Sequence, residues 1–193
     1  MYRALANNIE LKILIYSLVF ITTTANAQLI KSDIKAKLKN IEHMPYICEG
    51  DFKIGKFGCG DSLFWEVILQ KKNVIVSLIE LLNDTTETRA YSPNYGGKIR
   101  IADAAIIALG EIIQPFPNPN NFFKIKPIDN SQWMANINWL NKSLENRINY
   151  QTCILNWYNE NKSNLIWIQS NTFMCGDLDG EHPNKGHYEL EKK

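Results

Sequence analysis

Residues 59–84 read CGDSLFWEVILQKKNVIVSLIELLND, and residues 101–113 read IADAAIIALGEII. Both are apolar at helical spacing. In the first, Phe64, Val67 and Ile68 define one buried face, and Val74, Leu78, Leu81 and Leu82 define another. The pattern pauses at Lys71-Lys72-Asn73, so a break in the helix is expected there. Asp61 or Ser62 can accept hydrogen bonds from the free N–H groups of a helix that begins at Leu63. In the second segment Ala104, Ala105, Ala108, Leu109, Ile112 and Ile113 run almost without a polar break. Small side chains at that spacing let a neighbouring helix approach closely, which predicts the most buried helix of the chain. Asp103, in its first turn, suits the positive end of the helix dipole. The residues between, Thr85–Lys98, are polar, with Pro93 and the Gly96-Gly97 pair; they predict a loop with a tight turn.

On the N-terminal side, Ile30, Ile34, Leu38 and Ile41 recur at three- and four-residue steps with lysines between them. This predicts an amphipathic helix with a solvated basic face. Residues 43–60 lose that period and carry Pro45, Gly50, Gly55, Gly58 and Gly60, which reads as a loop. On the C-terminal side, Pro115, Pro117, Pro119 and Pro127 stop the alanine-rich helix, since proline has no backbone donor. Phe116, Phe122 and Phe123 inside this stretch imply that it packs on the body, so no domain boundary is expected. Ser131 can cap a helix carrying Trp133, Ile137 and Leu140. After a break at Asn141-Lys142-Ser143, a second helix carries Leu144, Ile148, Ile154, Leu155, Trp157 and Tyr158. Residues 165–168 and 172–174 flank Ser170-Asn171 and read as a short hairpin, followed by a polar tail. The expected fold is mainly α: residues 28–193 form one helical domain with a short C-terminal β-hairpin.

Residues 1–27 have the layout of a secretory leader. Arg3 and Lys12 supply charge, Ile13–Ile21 an apolar core, and Ala25-Asn26-Ala27 a small-x-small cleavage site. The apolar run is far short of the roughly 20 residues that span a bilayer, and nothing later is long enough either. The expectation is an exported protein, periplasmic or secreted, with no membrane span after cleavage. Cleavage removes Arg3, Lys12 and Glu10 from 21 basic and 20 acidic residues, leaving 19 of each. A net charge of zero argues against nucleic acid as a partner, because phosphate binding needs clustered Lys and Arg.

Four cysteines fall in the exported part, and an oxidising compartment favours pairing them. Of the three possible connectivities, Cys48–Cys59 with Cys153–Cys175 is preferred, the alternative being a buried free thiol at Cys153.

Leu78-Ile79-Glu80-Leu81-Leu82-Asn83-Asp84, followed by Ala104-Ala105 and Ala108-Leu109-Gly110-Glu111-Ile112, resembles one HEAT-type repeat, over about a third of residues 28–193. The resemblance implies a helical hairpin and no particular activity. The turn is stretched by Thr85–Lys98, Ala102 stands where that pattern has Arg, and no second copy follows at a matching period, so a long solenoid is not expected. The wider layout resembles a group of exported Bacteroidota-type proteins to which no activity is assigned. The matching features are the leader, Cys59-Gly60-Asp61 before Phe64-Trp65, Ala102-Asp103-Ala104, Trp157-Tyr158, His182-Pro183 and Gly186-His187.

For chemistry, Asp177, Asp179, His182 and His187 are metal-ligand types close together in a glycine-containing tail, beside Cys175. Soft donors favour zinc, and Asp177 with Asp179 favours calcium. The spacing fits neither a zinc finger nor an EF-hand, so no cofactor is expected, with zinc or calcium as the exception to test. Asp61 and Asp103 could form a carboxylate pair but read more simply as helix-start residues. His43 has no nucleophile beside it, and phosphate or dinucleotide loops are absent. Tyr91 and Tyr95 form an aromatic loop suited to contact a protein or cell-envelope partner. The leading expectation is a non-catalytic binding module; the alternative is a metal-dependent hydrolase centred on His182 and His187.

Overall fold

The computed structural model describes residues 28–45, 61–92, 97–128, 131–170 and 184–191. The leader, Cys48, Cys59, Cys175, Tyr95, Asp177, Asp179 and His182 lie outside them. Helix α1 covers 28–40 and buries Ile34 and Leu38, with Ile41 buried just beyond its end. Its lysines are not simply solvated. Lys31 pairs with Glu80 at 2.9 Å, Lys35 with Asp84 at 2.7 Å and Lys37 with Glu66 at 3.3 Å, so the basic face clamps α1 to the next two helices. Pairs this exposed contribute about 0–1 kcal/mol each, so they set register more than stability.

Helix α2 (Ser62–Ile68) starts at Asp61, whose carboxylate accepts from the Leu63 amide at 2.8 Å. The expected pause is a turn at residues 69–71 in which Lys71 has φ 56°, and α3 (Lys72–Glu80) restarts from it. The segment between α3 and the alanine-rich helix is not a loop, as its polarity suggested. Strand β1 (Glu87–Ser92) pairs antiparallel with β2 (Gly97–Arg100), Tyr91 opposite Lys98 and Glu87 opposite Arg100. The inward-facing residues of β1 are Thr88, Ala90 and Ser92, so burial alternates while hydropathy does not. That is why the strand escaped the sequence pattern.

Helix α4 (Ile101–Ile112) follows β2 directly. Its first amides donate to Thr86 and Asp84 carbonyls at 2.8 and 3.0 Å, which satisfies donors every helix start leaves free. Ten of its twelve residues are buried, as the alanine-rich pattern predicts; the exceptions are Ile107 and Gly110. The proline-containing stretch leads through the single turn α5 (Asn120–Phe123) to α6 (Gln132–Lys142), capped by Ser131, whose hydroxyl accepts from the Met134 amide at 3.2 Å. Ser143 ends α6 and caps α7 (Leu144–Asn161).

The C-terminal hairpin exists with a different partner from the one expected. Strand β3 (Leu165–Gln169) pairs antiparallel with β4 (Gly186–Leu190), Trp167 opposite Tyr188. Residues 172–174 lie outside the described residues, and β4 comes from the stretch that read as polar tail. The hairpin is tied to the rest at two places. The Gln114 amide donates to the Tyr188 carbonyl at 2.8 Å, joining β4 to the end of α4. Lys71 and Lys72 place their ammonium groups over the Trp167 and Tyr188 rings, 3.9 and 4.8 Å from the centroids. Among the described residues no helix is long and apolar enough to cross a membrane.

Candidate functional site

A cavity of about 580 Å³ opens between α4, the proline-containing segment and α6. It falls within the range typical of small-molecule sites, roughly 300–1,000 Å³. Helix α4 contributes Ile106, Ile107, Gly110 and Glu111. Helix α6 contributes Trp133, Asn136, Ile137 and Leu140, which are the i, i+3, i+4 and i+7 positions of one face. The third wall is Gln114–Pro119, with Pro115, Pro117 and Pro119. Proline rings present apolar surface and bring no N–H that must find a partner, so the wall can face a cavity without orphaned donors.

Aromatic packing behind the cavity holds that wall in place. The Tyr150 hydroxyl, from α7, donates to the Pro117 carbonyl at 2.7 Å. Phe122 lies edge-on to Tyr150, Phe123 stacks on Trp139 with centroids 4.4 Å apart, and Phe116 meets Trp157 edge-on. The phenylalanines of the proline stretch therefore pack on the body, as their presence in that stretch implied.

Gly110 is the informative residue. Glycine inside a helix costs about 1 kcal/mol relative to alanine, and the usual reason to keep it is a close neighbour or a positive φ. Neither applies among the described residues, where a Cβ built there would meet nothing within 4 Å. What the missing side chain leaves is the open space of the cavity.

Four carboxylate or amide side chains reach this otherwise apolar lining: Glu111, Gln114, Asn118 and Asn136, of which Asn118 is exposed and accepts from the Asn120 amide at 3.0 Å. Glu111 is buried and already engaged. Gln114 sits where α4 ends. Asn136, 3 % exposed, accepts from Gln132 Nε2 at 3.1 Å through Oδ1. The sequence carried a faint signal for this site, in Glu111 and Asn136 each interrupting the buried face of a helix. A wall assembled from separate segments gives no local pattern to read.

No family model, curated protein or solved structure matches this chain.

The residues singled out from sequence are not gathered at the cavity. Asp61 accepts from the amides of Leu63 and Glu42, whereas Asp103 is buried against Arg147, so the two acids serve separate partners. His187 is on β4 with Nε2 2.8 Å from Glu189 Oε1, two positions along the same strand face. It is the one member of the tail metal set within the described residues; among these no group of three or more ligand-type side chains converges. Tyr91 is 63 % exposed at the turn end of β1. Cys153 is half-buried on α7, and its expected partner Cys175 lies outside the described residues.

Burial pushes the Tyr150 phenol well above the ordinary tyrosine range. It does the same for Tyr158, where neighbouring Tyr188 adds to the effect, and for Tyr188 itself. A phenol whose folded pKa is raised stabilises the fold fully below its unfolded pKa, about 10, and that contribution is lost as pH rises past it. Urea unfolding between pH 7 and 11 is therefore expected to give flat stability to about pH 9 and a steep fall above about pH 10. Tyr150→Phe should have a shallower alkaline slope than the parent. Equal slopes would show that burial of the Tyr150 phenol contributes nothing to the alkaline loss.

Proposed function

We propose that this protein is an exported, non-catalytic binding module whose ligand is a small, largely apolar molecule held in the cavity between α4, the proline wall and α6. Export rests on the leader pattern of residues 1–27. The binding reading rests on one observation above the others: Gly110 gives up helix stability at a position where none of the described residues requires it, and the space so left borders the cavity. Apolar walls supply affinity through burial, and a few polar groups supply orientation, the usual division of labour in small-molecule sites.

The test uses a neutral fluorescent probe, N-phenyl-1-naphthylamine, added to the full chain and to Gly110→Phe. A phenyl ring grown from Gly110 enters open space and replaces a poor helix former, so the variant should fold at least as stably as the parent. Saturable binding to the parent, weakened by about a hundredfold or more in Gly110→Phe, is expected, because the ring occupies the volume the probe needs. Equal binding by both proteins, or none by the parent, would refute the cavity as the ligand site. The second outcome is also what a chain segment or a second copy seated there would give.

A further inference from the structure

We propose that the cavity selects an uncharged ligand carrying a hydrogen-bond acceptor, such as an amide, ketone or aza-aromatic, and that the acceptor is bound by Nδ2 of Asn136. This rests on the cavity being a binding site at all. The orientation of Asn136 follows from its neighbour. Gln132 Nε2 donates to the Ile125 carbonyl at 3.3 Å, which identifies that end of Gln132 as the donor. The atom of Asn136 it meets at 3.1 Å must then be the oxygen. The nitrogen of the same amide donates to none of the described residues, although the side chain is 3 % exposed and lines the cavity. Nor is it sealed off: among the described residues, side-chain polar atoms with neither access nor partner are found on Ser92 and Arg147, not on Asn136. A buried donor, oriented by a second residue and carried by a side chain that lines an apolar cavity, is matched by a ligand acceptor.

Charge narrows the class. Among the described residues the lining contains no Lys, Arg or His, and it does contain the Glu111 carboxylate. An anionic ligand would lose its hydration without gaining a counter-charge and would face a like charge on α4. A cation gains little, because Glu111 already has an interaction of its own. The Tyr150 hydroxyl is committed to Pro117 and does not compete for the acceptor.

Four matched probes separate these effects: 4-phenylbutanamide, 4-phenylbutanoate, 4-phenylbutan-1-amine and butylbenzene, each displacing N-phenyl-1-naphthylamine from the full chain. The amide is expected to bind more tightly than either charged analogue, because neither charge finds a free counter-charge in the described lining. Asn136→Leu should weaken the amide by at least about fivefold relative to butylbenzene, the scale of one net hydrogen bond, while the charged analogues stay weak. Asn136→Met, which keeps the side-chain length without a donor, should do the same and guards against a folding defect in the leucine variant. An amide-to-butylbenzene ratio that both variants change by less than about fivefold overturns the inference. If butylbenzene displaces the probe while the amide gains nothing, only the ligand class falls. If nothing displaces it and it does not itself bind, the binding reading falls first.

Discussion

Replacing Arg147 by methionine is expected to destabilise the protein by about 3 kcal/mol, the lower end of the range for stripping one partner from a buried ion pair. Arg147 and Asp103 are 1 % and 3 % exposed, with Nη2 2.7 Å from Oδ1. The same Nη2 lies 2.6 Å from the Asn141 side-chain oxygen, which also accepts from Arg100 Nη1 at 2.7 Å. Without Arg147 the Asp103 carboxylate keeps only the Arg100 amide, at 3.3 Å, and no buried counter-charge. One effect works in the other direction. Nε and Nη1 of Arg147 are sealed from solvent with no partner, and removing them relieves part of the penalty, which places the expected loss at the lower end of that range. Chemical denaturation of Arg147→Met measures it directly, and a loss under about 1 kcal/mol would show the pair to be dispensable. Asp103→Asn combined with Arg147→Met should lose less than the single arginine variant, because no charge is then left buried.

This network shows where local sequence reading reaches its limit. Asp103 in the first turn of an apolar helix was legible as a partner for the helix dipole, and it does accept from the Arg100 amide at the helix start. Its strongest contact comes from 44 positions away, on α7, and no local period announces that. The helices themselves were legible because their burial repeats at the period of the helix and in apolar residues: Phe64, Val67 and Ile68, then Val74 and Leu78, all fully buried. Strand β1 hides its period behind Thr88 and Ser92. Strand β4 has one buried aromatic, Tyr188, between His187 and Glu189, and its partner strand is distant in sequence. The cavity was the least legible feature, since its lining is drawn from Pro45, α4, the proline wall, α6 and Tyr150 of α7. Its local traces, Gly110 and Glu111 in α4 and Asn136 in α6, become interpretable only when the neighbours of each are known.

Gly186→Ala is expected to lower stability by about 2–3 kcal/mol, through a strained backbone and an overlap acting at the same residue. Gly186 opens β4 with φ +150°, a conformation that residues with a Cβ rarely adopt. A Cβ there would also overlap the Ile168 carbonyl and sit 2.8 Å from the Trp167 ring. Neither neighbour can yield easily. Ile168 is opposite His187 in the ladder, and Trp167 is held edge-on to Tyr188 at 4.9 Å and under the Lys71 ammonium. Because β4 is joined to the end of α4 through Gln114, damage here should extend to one edge of the cavity wall. His187→Ala is the matched control: it changes the adjacent residue of the same strand and removes only the partly exposed contact with Glu189, a loss below about 1 kcal/mol. The two variants should therefore differ clearly in urea midpoint, and Gly186→Ala should weaken binding of the neutral probe while His187→Ala does not. Indistinguishable midpoints would mean that the hairpin tolerates a side chain at its tightest point, and that its register contributes little to holding Gln114 and the wall beyond it.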